Sequence, residues 1–309
     1  MKEVEVPGYT KILTLGATGT ERALMGEVII QEKVDGSQFR FGLNEDGELT
    51  MASHHATIYP ENPGMFGMAA DHAAWAAGAC YLPRDTYFYC EYLAKPKHNT
   101  LAYESVPFHH LVLFDVLLSD GGWVRDHATL DAWARSLDID VVPELYRGDA
   151  TLADVRALLT TPSFLGKETV EGVVIKNWGE LIAVGGTTFP LFTKHVNEAF
   201  KERHGKEWKR GTGKNTREKF VESFAAEGRW AKAVQHLRER GELVGAPKDI
   251  GALVREVQDD IDAEETENIK EELYKLYIGD IKRAAVRGLP EWYKARLLEN
   301  VEEAPCPSN

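Results

Sequence analysis

GEVIIQEKVDGSQFRFGL, residues 26–43, holds two runs rich in β-branched or aromatic residues, GEVIIQEK (26–33) and SQFRFGL (37–43), parted by Val34-Asp35-Gly36. Short apolar runs of this kind, bounded by Asp and Gly, read as strands. The same pattern recurs in TYFYCEYL (86–93), HHLVLFDVLL (109–118), TVEGVVIKN (169–177) and ELIAV (180–184). Between them MFGMAADHAAWAAGAC (65–80) and DHATLDAWARSL (126–137) read as helices. The expected fold class up to about residue 200 is therefore α+β with a mostly antiparallel sheet.

Beyond residue 200 the apolar period changes to that of a helix. Leu253, Val254, Val257 and Ile261 share one face, Ile269, Leu273, Leu276 and Tyr277 another, and Trp292, Tyr293, Leu297 and Val301 a last one. HGKEWKRGTGKN (204–215), with three glycines and no apolar period, reads as a linker. The expected division is a first domain over 1–208, an all-helical domain over 209–303 and a disordered tail over 304–309.

With 309 residues and 43% hydrophobic content the chain can build one large domain or two modest ones. It has no run of about 18 apolar residues and no apolar signal core near the N-terminus, so a membrane span and Sec export are not expected. Three cysteines, none in a CxxC pair, fit a reducing, cytoplasmic setting rather than a disulfide scaffold. The net charge of −13 argues at first against a nucleic-acid partner. Its distribution argues otherwise: residues 1–193 carry −12, 194–240 carry +6 and 241–309 carry −7.

Lys33-Val34-Asp35-Gly36 is a KxDG motif at a strand end. Three specified residues recur by chance in about one in twenty chains of this size, and Asp-Gly alone would serve a hairpin turn. What distinguishes it is the ordered set that follows: CEYL around Glu91, LFDV around Phe114 and Asp115, EGVVIK from Glu171 to Lys176, and FTKHVNEAFKE around Lys194. On these five motifs residues 9–202 resemble the covalent nucleotidyltransferase superfamily of ATP-dependent ligases and capping enzymes. That resemblance implies an antiparallel, ATP-grasp-like adenylation domain and a lysyl-nucleotide intermediate.

The roles implied by the resemblance make chemical sense. Lys33 would attack the α-phosphate of ATP; its amine, with an ordinary pKa near 10.4, needs help to become a nucleophile. Lys176 and Lys194 would neutralise the transferring phosphate, together with Mg²⁺ or Mn²⁺ held by Glu171. Glu91 suits the ribose hydroxyls or a metal-bound water. Phe114 offers a face for stacking a purine and Glu32 an acceptor for its amine, although Phe114 within so apolar a run also reads as core. Asp115 in the same run must be paired or bound, and is a second candidate metal ligand. Strict alternation puts Glu171 and Lys176 on opposite strand faces, so a bulge or a strand end has to turn one of them.

Within the superfamily, an amide at the fifth position after the lysine, here Gln38, is similar to the RNA ligase 2 family; Asp35 is similar to DNA ligases. The helices after residue 215, where DNA ligases and capping enzymes append an OB-fold, again resemble RNA ligase 2. Members of that family usually carry an arginine one strand after the lysine; here the stretch reads MASHH, leaving Arg40 or His54 for that place. Phe192 stands where a second lysine often precedes Lys194. The resemblance implies an ATP-dependent RNA ligase, a monomer, sealing 3′-OH and 5′-phosphate ends at nicks in duplex RNA or an RNA/DNA hybrid; the cationic stretch over 194–240 puts Lys209, Arg210 and Lys214 on the nucleic acid. A DNA ligase lacking an OB-fold, a GTP-using guanylyltransferase and a non-catalytic nucleic-acid-binding module are the alternatives.

Other motifs carry less. GTGKNT (211–216) lacks the Ser or Thr and the leading glycine of a P-loop. His54-His55 and His109-His110 have no partners at zinc spacing, and DDIDAEETE (259–267) has no EF-hand glycine.

Overall fold

The computed structural model describes residues 6–99, 101–166, 168–184, 187–197 and 214–302. Two five-stranded sheets make up the first part of the chain. In chain order the strands are β1 (Ile12–Thr14), β2 (Glu27–Lys33), β3 (Ser37–Leu43), β4 (Leu49–Ser53), β5 (Thr86–Tyr92), β6 (Leu111–Leu117), β7 (Asp140–Val141), β8 (Glu144–Asp149), β9 (Gly172–Val184) and β10 (Thr187–Val196). One sheet has the order β1-β10-β9-β2-β8 and the other β4-β3-β5-β6-β7. Pairing is antiparallel except for β1 with β10 and β6 with β7.

The Val34-Asp35-Gly36 segment is therefore no hairpin turn: β2 lies in one sheet and β3 in the other. EGVVIKN and ELIAV, read as two strands, form the single β9, which pairs with β10 over residues 172–177 and 181–184. The register between them slips at Pro190/Leu191, where a residue without an N–H is tolerated.

Side-chain alternation gives each sheet one buried apolar face. Phe39, Phe41, Phe88, Cys90, Leu113 and Val116 pack under α1 (Gly67–Ala79) and α2 (His127–Ser136) in one core. Val28, Ile30, Val173 and Ile175 pack with Val155 of α3 (Leu152–Leu158) in another. Caps fix the helix starts: Asp126 accepts the Thr129 N–H at 2.8 Å, and Thr151 with Asp154 closes a capping box.

After residue 213 the chain forms the helices α4 (Lys214–Glu222), α5 (Glu227–Glu239), α6 (Ile250–Glu264), α7 (Thr266–Ala285) and α8 (Leu289–Glu302). No strand follows β10 among the described residues. The chain divides into two compact units, Met1–Asp260 and Ile261–Asn309. The expected boundary near residue 208, most of the linker and the tail lie outside the described residues. No described helix is long and apolar enough to cross a membrane.

Candidate active site

The register of the first sheet brings the chemistry-bearing residues to one face. Across β2, β9 and β10 the paired rows are Ile29–Lys176–Phe192, Gln31–Val174–Lys194 and Lys33–Gly172–Val196. Paired residues in an antiparallel ladder share a face, so Lys33, Lys176 and Lys194 all project from the same side. Glu171 precedes the first residue of β9, and there the chain turns its carboxylate back onto that side, where Oε2 lies 2.6 Å from Lys33 Nζ. The strand end thus resolves the conflict between Glu171 and Lys176.

The second sheet meets this face with Gln38, Glu91 and Val112, which stand opposite one another across β3, β5 and β6. Alternation alone would bury either Phe114 or Asp115 under the helices. The β5–β6 register slips between Tyr89, paired with Asp115, and Cys90, paired with Leu113, leaving Phe114 as the extra residue of a bulge. The bulge lets both residues leave the helix-covered core. Phe114 lines a cavity of about 110 Å³ with Lys33, Gln38, Glu91 and Lys176, walled by Val34, Val112, Val142 and Val174.

Asp115 is buried and its Oδ2 accepts from Lys176 Nζ at 2.7 Å and from the Tyr9 hydroxyl. Lys176 also donates to the Phe114 carbonyl at 2.9 Å. Burial raises the Asp115 pKa and lowers that of Lys176, each partly offset by the other's charge. Asp115, expected as a metal ligand, is here the counter-ion that holds Lys176 in place.

Electrostatics around Lys33 are dominated by carboxylates. Burial lowers its pKa, but Glu171, Asp35 and Glu91 more than reverse this, so the amine is held as an ammonium. Glu91 is pushed up to about 8, by burial first and then by Glu171, Glu239 and Asp35 acting against Lys33. Glu171 is raised, again mainly by burial. Asp35 takes the Leu101 N–H at 2.7 Å, and its own N–H goes to the Tyr103 hydroxyl at 2.8 Å. Gly36 is required by space, because a Cβ there would stand 2.7 Å from both the Glu91 Cγ and the Tyr92 carbonyl oxygen.

Other expected residues stand elsewhere or are engaged. Glu32 borders the cavity, but one carboxylate oxygen accepts from the Ser163 hydroxyl and the other from the Phe164 N–H. Arg40 is buried and gives its guanidinium to the carbonyls of Pro7 and Ser53, at 2.9 and 2.6 Å, so it does not line the cavity. His54 is exposed beyond β4, in ring contact with His55, and is likewise absent from the cavity wall. Lys209 and Arg210 lie outside the described residues, and Lys214 begins α4. Within the cationic stretch, Arg229 and Lys232 pair with Asp260, and Arg240 pairs with Glu256. Those three charges are spent inside the fold. Sequence reasoning missed Tyr9 and Tyr103, because a lone tyrosine carries no motif.

Glu91 and Glu171 offer hard oxygen donors at one corner of the site, which suits a Mg²⁺ or Mn²⁺ ion that takes one or two carboxylates and completes its shell with phosphate and water. No group of three or more metal-binding side chains exists among the described residues.

No curated protein matches the chain. Among solved structures, a Naegleria gruberi RNA ligase with pyrophosphate is 17% identical, with a TM-score of 0.48, over 63% of this chain and 57% of that one. A mutant of the same ligase with AMP and Mn is 16% identical, with a TM-score of 0.48 and the same coverage. A candidate ATP-dependent DNA ligase from Aquifex aeolicus is 16% identical, with a TM-score of 0.43, over 93% of this chain and 66% of that one. The chain thus spans less than two thirds of the length of each. The RNA ligase family model matches residues 26–196, more than half of the chain and the whole span from β2 to the end of β10. Lys33, Glu91, Phe114, Glu171, Lys176 and Lys194 all fall within that match, and the chain belongs to the RNA ligase family.

Proposed function

We propose that this chain is an ATP-dependent RNA ligase that works through a lysyl-AMP intermediate. The observation that carries the reading is Lys33 Nζ, 2.6 Å from Glu171, at the wall of a valine-lined cavity that also holds Phe114 and Lys176. The apolar walls and the Phe114 ring accept a purine base. The Gln38 Oε1, buried without a hydrogen-bond partner among the described residues, offers that ligand an acceptor. Glu91 is suited to the ribose hydroxyls.

In the first step Lys33 gives up one proton and its amine attacks the α-phosphorus of ATP. A P–N bond forms, the bond to pyrophosphate breaks and the nitrogen loses a second proton. Burial raises the pKa of Glu91 to about 8 and raises that of Glu171 as well, so the carboxyl groups beside Lys33 are suited to taking up its protons. Lys176, oriented by Asp115, and Lys194 supply positive charge beside the transferring phosphate. A divalent cation, when bound, offsets the charge of the phosphates and of the carboxylates that hold Lys33 as an ammonium. AMP then passes to a 5′-phosphate as a 5′,5′ pyrophosphate, and an adjacent 3′-OH attacks and releases AMP. The helices that follow β10, in place of OB-fold strands, favour a nicked RNA duplex or RNA/DNA hybrid as substrate.

The test is incubation with α-labelled ATP or GTP and Mg²⁺ or Mn²⁺. A covalent adduct from ATP that Lys33→Ala abolishes supports the reading; an adduct from GTP alone selects a guanylyltransferase. A panel of nicked duplexes with ribose or deoxyribose on each side of the break then reads the substrate.

A further inference from the structure

Strand pairing holds Lys33 at the end of β2 and Ser37 at the start of β3, but the Val34-Asp35-Gly36 segment between them crosses from one sheet to the other and pairs with neither. Part of what holds it comes from far along the chain. In α5, Gln235 Nε2 lies 3.1 Å from the Gly36 carbonyl oxygen, 3.1 Å from Ser37 Oγ and 2.8 Å from Glu239 Oε1, one helical turn away. The Glu239 side chain is only 2% exposed and accepts from Ser37.

Gln235 Nε2 carries two protons for these three acceptors, so one proton is shared between two of them. The Ala94 N–H donates to His98 Nδ1 at 3.0 Å, so the His98 ring proton sits on Nε2 and donates to Ser37 Oγ at 2.9 Å. Ser37 Oγ thus accepts from His98 and Gln235, and its own proton is free to go to Glu239. The Gly36 carbonyl accepts from Asn99 Nδ2 at 2.8 Å as well as from Gln235. On its outer side α5 is tied down by His236 and Arg240, which both pair with Glu256 of α6.

We propose that Gln235 and Glu239 are positioning residues for nucleotide transfer: they fix the Gly36-Ser37 end of the Lys33 segment and so set where the Lys33 amine meets the α-phosphate. Both residues lie beyond the span that the family model matches. Neither lines the cavity; Glu239 also acts by its charge on Glu91, so Gln235 is the residue whose replacement is expected to change the rate of transfer and leave ATP binding alone. The inference rests on the adenylylation reading of Lys33. A misplacement of about 1 Å at a reacting group can cost about a hundredfold in rate.

The experiment is single-turnover labelling with α-labelled ATP in three variants of the full chain, alongside amide hydrogen exchange at residues 35–37. Gln235→Glu keeps the shape but turns the donor into an acceptor facing a carbonyl and a carboxylate. Gln235→Lys keeps the donation. The expected result is at least a tenfold slower transfer in Gln235→Glu with an unchanged ATP concentration for half-maximal rate, faster exchange at residues 35–37, and a rate within about threefold of the parent in Gln235→Lys. Should Gln235→Glu fail to fold, Glu239→Ala is expected to show the same loss of rate. Parent-like transfer in Gln235→Glu, or an equal loss in Gln235→Lys, overturns the proposal. A parent protein that takes up no label overturns the adenylylation reading itself, which separates the two failures.

Discussion

Replacing Lys176 by methionine tests the tie between stability and chemistry at this site. Lys176 Nζ and Asp115 Oδ2 are 2.7 Å apart, with side chains 3% and 2% exposed. At an effective dielectric constant of about 20, that separation corresponds to about 6 kcal/mol of attraction. In Lys176→Met, Asp115 keeps the Tyr9 hydroxyl but loses its cation. Stranding one partner of a buried pair costs about 3–5 kcal/mol, and a unit of this size loses about 2–4 °C of Tm per kcal/mol. The expected fall in Tm is about 10 °C at pH 8. The Asp115 pKa is already raised by burial, and without Lys176 it rises further. A carboxyl raised on folding contributes stability at low pH that is lost as pH rises towards its folded pKa, so the deficit shrinks at pH 5. The double variant Lys176→Met/Asp115→Leu removes the stranded charge and recovers most of the Tm, less about 1 kcal/mol for the Tyr9 hydroxyl. Labelling by ATP stays lost in both variants. A single variant with unchanged Tm, or a double variant no more stable than the single, would refute the reasoning.

The carboxyl of Glu91 moves from 4.5 to about 8 on folding, so its stabilising share is present below pH 4.5 and is lost as pH rises through about 8. Glu91→Gln should therefore lose less Tm than the parent between pH 5 and pH 8.5, read by thermal unfolding at the two values. Stacking of a base on an aromatic ring contributes about 1–3 kcal/mol. Phe114→Ala should accordingly raise the ATP concentration for half-maximal labelling about tenfold, with the maximal rate changed far less. Reversing charge at Lys209, Arg210 and Lys214 should weaken end joining and its salt dependence while sparing adenylylation of Lys33; equal loss of both activities would make the stretch structural.

The sequence carried the strands on either side of Lys33, because each is a short run rich in β-branched or aromatic residues bounded by Gly or Asp; SQFRFGL and β3 coincide at Ser37–Leu43. It also carried the helical character beyond residue 214, where the period is 3.6 over long windows. The bulge at Phe114 left no mark in the sequence, since a bulge is set by pairing to a neighbouring strand and changes no residue type. For the same reason Arg40 read as a phosphate ligand, when its guanidinium is taken up by the carbonyls of Pro7 and Ser53. The short β1 and β7, held mainly by parallel partners, were too brief to show a period. Gln235 and Glu239 sit about 200 positions from the segment they hold, and only the folded chain brings them together.

Covalent labelling tests the central claim most directly. The protein is incubated with α-labelled ATP and Mg²⁺ or Mn²⁺, denatured and digested, and the modified peptide is sequenced by mass spectrometry. The account predicts one AMP per chain on the Lys33 nitrogen, with the acid lability of a phosphoramidate and no adduct in Lys33→Ala. AMP on another residue, or labelling that survives Lys33→Ala, would contradict it.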